Sequence, residues 1–61
     1  GIGTKALSYF LNQHVFPFFE YVFVDPDTAN TRAIRVYTKT GFTVIKKVNG
    51  GKITWMLCEK G

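Results

Sequence analysis

The chain has 61 residues, 46% of them hydrophobic and 20% charged, and a formal net charge of +4. That length holds one small domain, which buries only about 60% of its unfolded surface, and the composition excludes a disordered or fibrous chain. A lone Cys58 excludes an intrachain disulfide, no metal-spaced cluster surrounds the lone His14, and no apolar run approaches the roughly 20 residues needed to span a bilayer. The chain opens on Gly rather than Met and lacks the layout of a signal peptide. Residues 1–61 are therefore expected to be a single partial domain, a piece of a longer protein, from a reducing, cytoplasmic compartment. The basic residues Lys5, Arg32, Arg35, Lys39, Lys46, Lys47, Lys52 and Lys60 never exceed two in a row. A solvated surface or a phosphorylated small ligand suits that scatter better than a nucleic-acid stripe.

From Gly3 to about Gln13 the positions Ala6, Leu7, Phe10 and Leu11 keep a helical period. Pro17 stops that helix, because it lacks an amide donor and pushes Phe16 toward extended geometry. The run Glu20–Asp25 is short, β-rich and nearly all apolar, as expected of a strand buried on both faces. Asp25-Pro26-Asp27 ends it. The segment from Asn30 to Thr40 reads as an amphipathic helix. Asn30 is a favoured N-cap, Gly41 suits the left-handed position after the last turn, and Ala33, Ile34 and Tyr37 make the apolar stripe.

Two β-rich runs follow, Phe42–Val48 and Lys52–Glu59, joined through the turn Asn49-Gly50-Gly51. Strand, helix and strand suggest a right-handed parallel crossover with the last strand returning antiparallel. The expected class is α/β: two helices and a three-stranded mixed sheet, in the order helix-strand-helix-strand-strand. Trp55 is expected to anchor the sheet core, Cys58 to be buried in a strand, and His14 and Asp27 to be solvated. Phe10, Phe16, Phe18, Phe19, Tyr21 and Phe23 place six aromatic residues within fourteen positions. Two helices cannot cover them all, so further polypeptide or a second copy is expected to do so, and the chain alone to self-associate or exchange elements.

Asn30 and Tyr37 stand seven residues, about two turns, apart and project to roughly the same side, with Arg32, Arg35 and Lys39 beside them. The set Asp25-Pro26, Asn30, Arg32-Ala33-Ile34-Arg35, Tyr37, Lys39 and Gly41-Phe42 resembles a signature of the GNAT N-acetyltransferase superfamily. The family pattern is D-P-x-x-x-N-x-R-A-I-R-x-Y-x-K-x-G-F, and the likeness is strongest to the aminoglycoside 6′-N-acetyltransferase branch. Gly1-Ile2-Gly3-Thr4-Lys5 is similar to the end of that family's Q/R-x-x-G-x-G/A loop. The order of elements is that of the C-terminal half of the family's fold.

The resemblance implies acetyl-CoA as co-substrate, a primary amine as acceptor (an aminoglycoside antibiotic among the candidates, hence antibiotic resistance) and no metal. By the same resemblance Gly1, Gly3 and Thr4 are remnants of the pyrophosphate cradle, Asn30 bonds the pantetheine arm and Arg35 meets a cofactor phosphate. Tyr37 is the general acid on the departing thiolate, and Asp25 contacts the cationic acceptor. Each residue also has a plain structural role open to it: a flexible terminus for the glycines, a helix cap for Asn30, core packing for Tyr37, a turn for Asp25 and an exposed basic edge for Arg35. The implied function is a fragment of an acetyltransferase, inactive alone. A different class stays open, a small basic module binding RNA or a protein partner, which requires aromatic residues alternating with Lys or Arg on an exposed sheet face.

Overall fold

In a computed structural model that describes residues 2–60, the chain runs through α1 (Ile2–Phe10), a π-helical turn (Leu11–Val15), β1 (Tyr21–Val24), α2 (Thr31–Thr40), β2 (Thr43–Val48) and β3 (Ile53–Glu59). The expected helices and strands are all present, with ends within a few residues of expectation. The first helix does not end at Gln13 but widens. The Phe16 amide donates to the Leu11 carbonyl at 2.8 Å, five residues back. In such a turn residues five apart stack on one side, and both Leu11 and Phe16 are buried as a result. Pro17 then ends the helical path, as its missing donor requires.

α2 carries both of its expected caps. The Asn30 side-chain oxygen accepts from the Ala33 amide at 3.1 Å. At the other end Gly41 adopts φ +119°, its amide donates to Thr38 at 3.2 Å, and the Phe42 amide donates to Tyr37 at 2.9 Å. This pair of bonds is a Schellman closure.

The sheet order is β1-β3-β2, and both pairings are antiparallel. The expected mixed sheet is thus corrected. β1 and β2 do run the same way around the α2 crossover, but β3 lies between them and bonds to both. Tyr21 faces Glu59 and Val24 faces Met56 on one side of β3, while Thr43 faces Leu57 and Val48 faces Ile53 on the other. A bulge at Ile45 separates Val44 from Lys46. Asn49 and Gly50-Gly51 take positive φ in the β2–β3 connection, the conformation that Asn and Gly tolerate best.

Both helices cover the same face of this sheet. Leu11, Phe16, Phe42, Met56 and Cys58 are buried together, with Leu7, Val15, Val22, Val24, Ile34 and Tyr37 packed around them. β3 alternates along its length, burying Thr54, Met56 and Cys58 while Ile53, Trp55 and Leu57 face the other way. Two sequence expectations are corrected by this arrangement. The strand Tyr21–Val24 is not buried on both faces: it lies at the edge of the three-stranded sheet, and its Tyr21 and Phe23 are 56% and 48% exposed. Trp55 does not anchor the core: it lies on the uncovered face, edge-on to Phe23 at 5.5 Å with Lys46 Nζ 5.2 Å above its ring. The reason is common to both. The central position, buried by strands on either side, is taken by β3, whose small and flexible Thr54, Met56 and Cys58 pack beneath the helices.

Candidate active site

The loop between β1 and α2 sets the position of Asp25 and Asn30, and the sheet fixes that loop. Asp27 forms an isolated bridge with Ile53, the Thr28 amide donates to the Lys52 carbonyl at 2.8 Å and the Thr54 amide to the Pro26 carbonyl at 3.0 Å. The hydroxyls of Thr28 and Thr54 share a 2.7 Å hydrogen bond. Thr54 is almost fully buried, so its hydroxyl needs this partner. Within the loop the Asp27 carboxylate accepts from the Ala29 amide at 2.8 Å, and the Asn30 amide donates to the Asp27 carbonyl at 2.9 Å. Asp27 is exposed as expected, yet it also holds the turn that delivers Asn30 to the head of α2. The Thr28–Thr54 pair is absent from the sequence reading; the polar Thr54 within an otherwise apolar alternation is the signal that marks it.

Asn30 is exposed, and its cap uses the side-chain oxygen only. The amide NH2 group is left for another acceptor. Two turns further along, Tyr37 is half-buried, with its ring tilted against Phe42 at 5.2 Å. Its ring therefore serves the core, the plain role anticipated for it. Arg32, Arg35 and Lys39 are all exposed on the same helix. Asp25 is exposed just beyond the end of β1.

The opening glycines are only partly within view. Gly1 lies outside the described residues. Gly3 and the half-buried Thr4 belong to the first turn of α1. α1 packs on α2 there, and a Cβ on Gly3 would stand 3.9 Å from the Val36 Cγ2, an ordinary contact. Helix packing does not demand glycine at this position. The structure thus brings Asn30, Arg35 and Tyr37 onto one helix, sets Gly3 and Thr4 on the helix packed against it, and leaves Asp25 at a strand end.

Cys58 is buried beneath the helices. Burial pushes its thiol above the ordinary value, and the neighbouring Glu59 charge pushes the same way. A thiol held neutral is a poor nucleophile, and its place agrees with the buried strand position expected for it. Among the described residues no group of three or more His, Cys, Asp and Glu could hold a metal ion, and no helix is long and apolar enough to cross a membrane.

The comparison that bears on this arrangement is with a solved structure. AAC(6′)-Ib in complex with ribostamycin and coenzyme A matches 97% of the present chain at 30% identity, with a TM-score of 0.77. It is an aminoglycoside 6′-N-acetyltransferase of the GNAT type. The chain has the fold of part of a GNAT acetyltransferase. It spans about 35% of the length of that GNAT enzyme. No protein-family model matches the sequence, and no curated protein matches it significantly.

The GNAT likeness accounts for the element order and for the long connection between two strands that do not touch. It also agrees with the signature read from Asp25 to Phe42, whose capping residues Asn30 and Gly41 are both in use.

Proposed function

We propose that residues 1–61 are a partial domain of an acetyl-CoA-dependent N-acetyltransferase that acetylates a primary amine, with an aminoglycoside as acceptor. The observation that carries this reading is the near-complete overlay on a GNAT enzyme whose structure holds coenzyme A and an aminoglycoside.

In this reading the amine nitrogen attacks the thioester carbonyl of acetyl-CoA, the carbon–sulfur bond breaks, and coenzyme A leaves as a thiolate. Tyr37 donates its phenolic proton to that sulfur. Asp25 holds the acceptor's ammonium group or helps remove its proton so that the attacking amine is neutral, and the proton that nitrogen loses on acylation restores the Tyr37 phenol. The free NH2 group of Asn30 donates to a carbonyl of the pantetheine arm. Gly3 and Thr4 offer a backbone amide and a hydroxyl at the head of α1 to the pyrophosphate, Gly1 being the remaining member of that motif in the sequence, and Arg35 adds charge toward a phosphate. Support for Gly3 comes from its packing: glycine costs a helix about 1 kcal/mol relative to alanine, and no close contact at that site requires it.

The chain alone is inactive in this account, since it spans only 35% of the GNAT enzyme it matches, and the remainder of such a domain supplies most of the acceptor site. An enzyme of this kind works in the cytoplasm, where acetyl-CoA is available, and confers resistance by modifying the antibiotic. No metal takes part.

The competing reading, a basic module for RNA or a protein, draws on one observation. Tyr21, Phe23 and Trp55 share the uncovered sheet face with Lys46. Their apolar neighbours Ile53 and Leu57, and the occupation of the Trp55 ring by Lys46, favour burial over base stacking. Calorimetry with coenzyme A and with an oligonucleotide, each at two salt concentrations, separates the two. The acetyltransferase reading expects heat from coenzyme A. Binding of the oligonucleotide alone, with a steep salt slope, would overturn it.

A further inference from the structure

The ladder between β1 and β3 continues past the end of β1. Asp27 faces Ile53 in the same register in which Val24 faces Met56, so residues 25–28 run on beside β3. In an antiparallel ladder every second pair of facing residues exchanges two backbone bonds. On this stretch the bonding pairs are Pro26 with Thr54 and Thr28 with Lys52, because the Thr54 amide donates to Pro26 and the Thr28 amide to Lys52. Pro26 has no amide hydrogen and cannot return its bond. The ladder is thus weakened where the chain leaves the sheet for α2. A side-chain bond lies across the gap. Thr28 and Thr54 are diagonal neighbours on this ladder, and their hydroxyls meet at 2.7 Å. Thr54 is 1% exposed, in line with the buried Met56 and Cys58. A valine would pack at such a site, whereas a hydroxyl there costs stability unless it is bonded.

We propose that Thr54 and Thr28 are positioning residues for Asn30: their hydroxyl bond stands in for the one Pro26 cannot make and clamps the turn that presents the Asn30 amide group to coenzyme A. Only Ala29 separates Thr28 from Asn30. The Ala29 amide donates to the Asp27 carboxylate and the Asn30 amide to the Asp27 carbonyl, so movement of 27–28 away from β3 carries Asn30 with it. The Asn30 side-chain oxygen is committed to the Ala33 amide. Where its NH2 group points is therefore set by where the turn stands. The role toward coenzyme A rests on the acetyltransferase reading, whereas the clamp itself does not.

Amide hydrogen exchange and coenzyme A calorimetry on the full 61-residue chain test the two parts separately. Thr54→Val is expected to speed exchange at Thr28, Asn30 and Ala33 about tenfold, the scale of one hydrogen bond, with Phe42 and Met56 unchanged. Affinity for coenzyme A falls by a similar factor while circular dichroism shows the chain still folded. Thr28→Val, on the half-buried side of the pair, gives the same pattern. Thr54→Ser keeps the hydroxyl and retains both wild-type values. Adding Pro26→Ala to Thr54→Val supplies the missing amide and slows exchange again. Exchange indifferent to both valine variants overturns the clamp, and a Pro26→Ala that fails to compensate overturns its stand-in role. Faster exchange with unchanged coenzyme A affinity overturns the positioning of Asn30. A wild-type chain that takes up no coenzyme A overturns the acetyltransferase reading and that positioning role together, while exchange still decides the clamp.

Discussion

The ring of Tyr37 packs against the ring of Phe42 at 5.2 Å, while the Phe42 amide donates to the Tyr37 carbonyl at 2.9 Å. One pair of residues thus closes α2 and fixes the end of its apolar stripe against the core. The contact between the residue after the glycine and the helix's last turn accompanies a Schellman closure. In the proposed enzyme it also immobilises the phenol that protonates the leaving sulfur.

Tyr37→Phe keeps this packing and removes only the hydroxyl. Stability is expected to change by less than about 1 kcal/mol, whereas Tyr37→Ala is expected to cost about 2–4 kcal/mol through lost ring packing. Urea unfolding followed by circular dichroism measures both. In an acetyltransferase domain completed by its remaining polypeptide, Tyr37→Phe should lower the rate of thiol release with little effect on the affinity for coenzyme A. An unchanged rate would remove Tyr37 from the chemistry.

Asn30 has two separable duties. Asn30→Ala deletes the cap on the Ala33 amide and should cost about 1 kcal/mol. Asn30→Asp preserves an accepting oxygen but exchanges the NH2 donor for a second acceptor, so the fold should hold while coenzyme A binding weakens. Equal affinity for wild type and Asn30→Asp would reduce Asn30 to a cap.

Gly41 is required by its backbone. At φ +119° any side chain is strained, and Gly41→Ala is expected to destabilise the chain by about 1–2 kcal/mol. Gly3→Ala should do the reverse to the helix, adding up to about 1 kcal/mol, since its Cβ would meet Val36 at an ordinary 3.9 Å. If Gly3 serves a pyrophosphate, the stabilised variant binds coenzyme A less well. Stability by urea titration and affinity by calorimetry decide between these outcomes.

Cys58 gives the pH dependence. Its folded thiol is held above the ordinary value of 9.0 by burial and by Glu59, so the neutral form is favoured in the native state. The stabilisation is present in full below the unfolded value and is lost as pH rises through the folded one. Unfolding free energy should therefore decline at alkaline pH, beginning above about 9. A Cys58→Ala chain should lose that part of the decline. At neutral pH a thiol reagent should react faster in urea than with the native chain.

The helix from Thr31 to Thr40 was legible because its signals are local: a capping Asn, an apolar stripe and a terminal Gly act within a few residues of one another. The strands were legible for the same reason. Their arrangement was not. Tyr21–Val24 has the composition of a buried central strand, and nothing in its own residues reveals that β3 inserts between β1 and β2 and takes that place. Trp55 suffers the same ambiguity, because alternation along Ile53–Glu59 defines two faces without saying which one the helices cover. The π-helical turn at Leu11–Val15 depends on where Phe16 must go, which is a matter of the assembled core. Of the candidate site, spacing put Asn30 and Tyr37 on one side of α2 and the family resemblance supplied their roles, while the threonine pair that ties their loop to β3 joins positions 26 apart and is marked locally only by the polar Thr54.

The most direct test of the central claim is a titration of the isotopically labelled 61-residue chain with coenzyme A, followed by amide resonances. The account predicts shifts at Gly3, Thr4, Asn30, Arg35 and Tyr37, with Trp55 and its neighbours on the uncovered face unmoved. Shifts confined to that uncovered face, or none at saturating coenzyme A, would contradict it.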